Sequence, residues 1–154
     1  MDAGREVTNP TGGNRMQAVL TDQAPKPAGH YSQAVVANGF VFVAGQLPID
    51  PAKGPRTQHE PVPDIEAQVT RTLANVEAIL IASGSSIAGV VRCTVYVTDV
   101  GLWPRVNAAY AAFFAARTSV PPARTVVPCP GLHYGYQVEI DAIGVQGIGL
   151  SEEQ

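Results

Sequence analysis

Ala123-Arg124-Thr125-Val126-Val127 and, beyond a loop rich in proline and glycine, Gln137-Val138-Glu139-Ile140-Asp141-Ala142 are the two stretches on which the reading of this chain turns. β-Branched residues alternate with other types at a period of two in both, which is the signature of strands. A short hairpin between them would bring Arg124 and Glu139 together, a carboxylate clamp beside a water-activating base. The plainer reading stays open. Val138, Ile140 and Ala142 share one face of the last strand and Gln137, Glu139 and Asp141 the other, as in any half-buried strand with its polar side in water. Arg124, next to Pro121-Pro122, fits a surface arginine as well as a ligand clamp.

Working outward, the elements follow in order. Gln17 to Leu20 is a short first strand. Gln33–Ala37 and Phe40–Ala44 read as a hairpin, with Asn38-Gly39 at the two positive-φ positions of a tight turn. A polar, proline-rich loop runs from Pro48 to Pro63, long enough to be mobile or functional. Asp64 reads as a helix N-cap. Ile65, Val69, Leu73, Val76 and Leu80 then recur at helical spacing, and Ser83-Gly84 closes that helix. A strand over about Val90–Val97 leads into a second helix, with Val106, Tyr110 and Phe113 as its buried stripe and Pro104 in its first turn. The expected fold class is α+β: a mostly antiparallel mixed sheet with two helices on one face. The second face has nothing left in the chain to cover it.

Composition narrows the function. The 154 residues suit one domain, expected over 16–154, with 1–15 a disordered extension and Met16 a candidate start. Only 15% of residues are charged and 45% are apolar, which points to a surface partly covered by another subunit. A net charge of −3, with ten scattered Lys and Arg, gives no broad attraction to nucleic acid or to anionic lipid. No apolar run approaches a membrane span and the N-terminus lacks the apolar centre of a secretory signal, so the expected location is the cytoplasm. Cys93 and Cys129 lack the spacing of a zinc site or a disulfide framework, and Cys93 alternates with Val95 and Val97 on a buried face. No cofactor motif or phosphate-binding glycine loop is present.

Several segments together resemble the Rid (RidA/YjgF) family of enamine/imine deaminases. They are Gly29-His30-Tyr31-Ser32-Gln33-Ala34, Val41-Phe42-Val43-Ala44-Gly45-Gln46-Leu47-Pro48, Val106 to Phe114, Pro122-Ala123-Arg124 and Val138-Glu139-Ile140-Asp141-Ala142. The resemblance covers about Met16 to Ile143. It implies a chorismate-mutase-like fold assembled as a homotrimer with sites in the clefts between subunits. It also implies cofactor-free, metal-free hydrolysis of 2-imino or enamine acids to 2-keto acids and ammonia, as in a 2-iminobutanoate/2-iminopropanoate-type deaminase. Arg124 would grip the substrate carboxylate, bidentately as lysine could not, and Glu139 would orient and deprotonate water. By the same resemblance Tyr31 and Asn107 line the cleft, and Gly45 and the backbone at Val126 offer hydrogen bonds. Tyr31 and Asn107 could equally be packing residues, and Gly45 a bend.

The departures bear on substrate. Ala44 stands where the family has a serine, and Val126 where it often has a cysteine. The Asp50–Asp64 loop is longer than usual, and Pro128 to Tyr136 is unusually aromatic. His133, Tyr134 or Tyr136 either reshapes the cleft for a bulkier substrate or simply lies on a surface loop. A pathway-specific relative, such as a 2-aminomuconate-type deaminase or a biosynthetic enzyme for an enamine intermediate, is the alternative among enzymes. A non-catalytic ligand-binding or chaperone-like protein is the alternative from another class, and a ribonuclease role suits the acidic balance least.

Overall fold

In the computed structural model, which describes residues 6–8 and 15–150, seven strands form one sheet beside two helices. In chain order the elements are β1 (Glu6–Thr8), β2 (Arg15–Val19), β3 (Ala34–Ala37), β4 (Phe40–Gln46), α1 (Ile65–Ala82), β5 (Val90–Val97), α2 (Trp103–Ala115), β6 (Ala123–Pro128) and β7 (Val138–Val145). The sheet order is β1-β2-β3-β4-β7-β5-β6, antiparallel except for the β5–β6 pair. β1 lies within the stretch expected to be disordered and pairs with β2. The rest of that stretch, up to residue 14, lies outside the described residues.

Local chemistry sets the element ends. Asn38 (φ 51°) and Gly39 (φ 78°) form the tight turn of the β3–β4 hairpin, both in the left-handed region. Asp64 occupies the N-cap of α1, but its side chain makes no capping bond; its carbonyl accepts the N–H of Gln68. At the other end Gly84 (φ 76°) lets the Ser85 N–H reach the carbonyl of Leu80, while its own N–H reaches Ile81. These two bonds are those of a Schellman close.

One face of the sheet carries the core. Val41 and Val43 of β4, Cys93, Val95 and Val97 of β5, and Val138, Ile140 and Ala142 of β7 are buried under α1 and α2. The α1 stripe Ile65, Val69, Leu73, Val76 and Leu80 meets them, as its spacing predicts. Cys93 is buried as expected, and burial pushes its thiol up to about 11. On the opposite face Phe40 and Phe42 are 44% and 46% exposed, and among the described residues no element covers them.

The expected hairpin between the last two strands does not form. β6 runs parallel to β5, with Cys93 opposite Arg124, while β7 lies antiparallel between β4 and β5, with Tyr96 opposite Glu139. The α2 crossover from β5 makes a parallel neighbour, as such connections do, so β6 becomes the outer strand. β7 carries more apolar surface than an edge should and takes a central place. Arg124 and Glu139 are therefore not neighbours.

Candidate active site

Arg124 and Glu139 belong to two separate half-sites. Arg124 shares the face of Cys93, toward the helices, whereas Glu139 shares the face of Tyr96, away from them. Two strand spacings and three residues along the strand separate their backbones, roughly 10 Å in each direction.

The first half-site is a cradle for the guanidinium. Trp103, Asn107 and Tyr110 stand at i, i+4 and i+7 on α2 and so share one face. Nη1 of Arg124 donates to Oδ1 of Asn107 at 2.9 Å. The guanidinium carbon lies 4.5 Å from the centroid of the Trp103 ring and 4.8 Å from that of Tyr110. Each such contact contributes about 0.5–1 kcal/mol at an exposed site. Arg124 itself is exposed, so the planar fork is oriented and its remaining N–H groups are available for a carboxylate. Val126, two residues on, turns its side chain onto the core. Tyr110 is more than core: burial pushes its hydroxyl far above the usual tyrosine range. That hydroxyl lacks a conventional hydrogen-bond partner, and the Cys93 thiol that it faces offers only a weak one.

The second half-site is a cavity of about 450 Å³ on the open face, walled by Tyr31, Ala44, Gly45, Leu47, His133 and Tyr134 around Glu139. It exists because β4 is bulged. Between the pairs Val43–Ala142 and Gln46–Ile140, β4 places Ala44 and Gly45 opposite Asp141 alone, and the extra residue bends the strand. Gly45 is glycine for clearance: a β-carbon there would collide with Oε1 of Glu139. Glu139 is half-buried, and burial holds its carboxyl above the usual carboxylate range; His133 opposes the shift and Asp141 adds to it. A carboxylate so placed is a better proton acceptor than one in water. Among the described residues no group of three or more His, Cys, Asp or Glu gathers as a metal site would.

The six expected site residues thus fall into two sets, Arg124 with Asn107 and Val126, and Glu139 with Tyr31 and Gly45. Of the aromatic loop, His133 and Tyr134 wall the cavity, whereas Tyr136 is buried away from it, against the 48–63 loop. Ala44, in place of the serine, sits in the wall. Two residues of the cradle went unassigned in the sequence. Trp103 was legible from its helical spacing to Asn107, and Tyr110 was read only as part of the buried stripe. Pro25, Lys26, Ala28, Leu47 and Ile49 of the cavity come from irregular segments with no period to betray them.

Comparison with known proteins adds the following. A family model described as endoribonuclease L-PSP matches residues 21–146. Protein DfrA of Myxococcus xanthus is 45% identical over 131 residues, covering 84% of this chain and 95% of that protein. The 2-iminobutanoate/2-iminopropanoate deaminase of Salmonella typhimurium is 35% identical over 130 residues, covering 84% and 98%. The crystal structure of Escherichia coli TdcF with bound serine superposes with a TM-score of 0.77 at 32% identity, covering 84% of this chain and 98% of that one.

Proposed function

Because the chain belongs to the endoribonuclease L-PSP family, also called YjgF/Rid, which includes 2-iminobutanoate/2-iminopropanoate deaminases, we propose that it hydrolyses 2-imino or enamine acids to 2-keto acids and ammonia. The observation that carries the reading is the division of the site. A clamp on the helix-side face of an outer strand and a base on the open face complete each other only when a second copy supplies the missing half. The proposed assembly is a homotrimer with one such site in each cleft between subunits. The uncovered Phe40 and Phe42 face is the surface that another copy would cover. The partners are a small carboxylate substrate and further copies of the chain; nucleic acid, membrane, metal and cofactor have no part in this reading.

In the proposed reaction Arg124 of one copy holds the substrate carboxylate through two parallel N–H···O bonds, with Asn107 fixing the plane of the fork. Tyr31 flanks the substrate, and backbone groups at Gly45 and Val126 supply further hydrogen bonds. Water bonds through oxygen to C2 while the C=N electron pair withdraws onto nitrogen. Glu139 accepts the proton that the water loses and passes it to that nitrogen. The resulting carbinolamine gives its hydroxyl proton to Glu139, the C=O bond forms, and the C–N bond breaks. Ammonia leaves carrying the proton that Glu139 returns. An enamine enters the same route after protonation at carbon. The imine is intrinsically reactive, so positioning and general base help are the chain's contribution.

The test is imine loss with the substrate made in situ by an amino-acid oxidase and residual imine trapped with semicarbazide. Wild type should accelerate the loss and Arg124→Ala should not. No acceleration by wild type over the enzyme-free rate would sink the reading in favour of a ligand-binding or pathway-specific role, and equal acceleration by both chains would remove the clamp from Arg124.

A further inference from the structure

Tyr134 has a left-handed backbone (φ 61°, ψ 17°), followed by a left-handed Gly135 (φ 71°). Such a conformation is strained for a residue with a β-carbon, so its surroundings must hold it. Arg56 does so. Its Nη1 donates to the carbonyl of Tyr134 at 2.6 Å, its Nη2 to the carbonyl of Glu60, and its backbone N–H to the hydroxyl of the buried Tyr136 at 3.0 Å. A β-carbon on Gly135 would lie 2.9 Å from Nη1, so that glycine admits the guanidinium. The long 48–63 loop and the aromatic 128–136 loop, two separate oddities in sequence, are one clasped structure.

The clasp sets Tyr134 at a boundary. The Glu139 cavity adjoins a groove of about 510 Å³, and the two share Pro25, Lys26, Ala28, Ile49 and Tyr134. Past Tyr134 the groove is walled by Pro51 and Pro55, from the loop that Arg56 anchors. Lys26 and Asp22, which also line the groove, pair with each other at 3.5 Å beside its proline, isoleucine and tyrosine surface.

We propose that this groove is a side-chain subsite, with Tyr134 as its partition and Arg56 as the residue that positions Tyr134, and that the substrates are 2-imino acids with extended apolar or aromatic side chains. The proposal rests on the reading of the site as an imine hydrolase, and binding separates the two. Calorimetry of wild type with pyruvate, 4-methyl-2-oxopentanoate and phenylpyruvate should show the larger acids bound at least about tenfold more tightly. Arg56→Ala should shrink that ratio to about threefold or less and leave pyruvate binding and turnover of the smallest imine unchanged. Arg56→Lys, which keeps one donor, should restore part of the ratio. Tyr134→Gly, which accepts the left-handed backbone without strain, should weaken the larger acids selectively even if Arg56→Ala proves unstable. A wild-type ratio near one, or a ratio untouched by both Arg56→Ala and Tyr134→Gly, overturns the subsite. Selective binding without turnover of any imine upholds the subsite and overturns the reaction; turnover without discrimination does the reverse.

Discussion

Gly45 and Glu139 face each other across the β4–β7 bulge so closely that a β-carbon on the glycine would lie 3.2 Å from Cδ of the glutamate and closer still to Oε1. The carboxylate fills the space that any other residue at 45 would occupy. Gly45→Ala must therefore push Glu139 off its position while leaving the buried β4 residues Val41 and Val43 untouched. The expected result is a loss of at least about 100-fold in imine hydrolysis, the range lost with a general base, in a chain that still melts cooperatively. Activity and thermal melting measured together check this; an active Gly45→Ala chain would remove the base from Glu139.

If each site takes Arg124 from one copy and Glu139 from another, two dead variants should rescue one another. Arg124→Ala and Glu139→Gln, each inactive alone, are mixed in equal amounts, unfolded and refolded together. Random assembly then pairs an intact arginine with an intact glutamate at about a quarter of the sites, and about a quarter of wild-type activity should return. No recovery from a mixture shown to co-assemble would place both residues' roles within one chain, or nowhere.

The aromatic cradle predicts a graded response. Trp103→Ala should raise KM about three- to fivefold with little change in kcat, because the ring orients the clamp in ground and transition states alike. Trp103→Phe should recover most of the loss. Tyr110→Phe keeps the ring under Arg124 and removes a buried hydroxyl without a conventional partner. It should therefore stabilise the fold or leave it unchanged, within about 1 kcal/mol in chemical denaturation, and spare catalysis.

Burial holds the Glu139 carboxyl above its ordinary value of 4.5, and in the proposed reaction it acts only when ionised. The acid limb of kcat/KM should accordingly fall at a pH above 4.5. Since His133 pulls the carboxyl back down, His133→Ala should move that limb further up, and a pH–rate profile of both chains reads the shift. Stability runs the opposite way to activity. The folded chain holds this proton more tightly than the unfolded one, so ionisation of Glu139 lowers stability as pH rises from 4.5 through the raised value. Denaturation of Glu139→Gln across that window should show the loss removed.

Features decided by nearby residues were legible in the sequence. The α1 stripe, the Asn38-Gly39 turn and the Gly84 close each follow from a few residues and their backbone preferences. The β6–β7 pairing was misread because strand partners are chosen by which faces can be buried, not by proximity along the chain. β7 buries every second residue from Val138 to Ala142, a mark of a central strand, yet its neighbours β4 and β5 lie about 100 and 50 positions earlier by register. The site residues were named individually, but their division between two faces depends on that register and could not be seen without it. Arg56 left no trace at all, since a guanidinium that binds carbonyls has no sequence period.

The central place of β7 also bears on how the chain reaches its native state. Strands β1 to β4 on one side and β5 with β6 on the other have no hydrogen-bonded contact in the sheet except through β7, the last of the seven to be synthesised. A nascent chain that stops short of Val138 can form two fragments of a sheet and no whole one. Closing them demands contacts between residues far apart in sequence, the kind that slow folding. Glu139 arrives with that closing strand, so the cavity around it takes shape in the same event that completes the sheet, while Arg124 and its aromatic cradle lie wholly in the part already made.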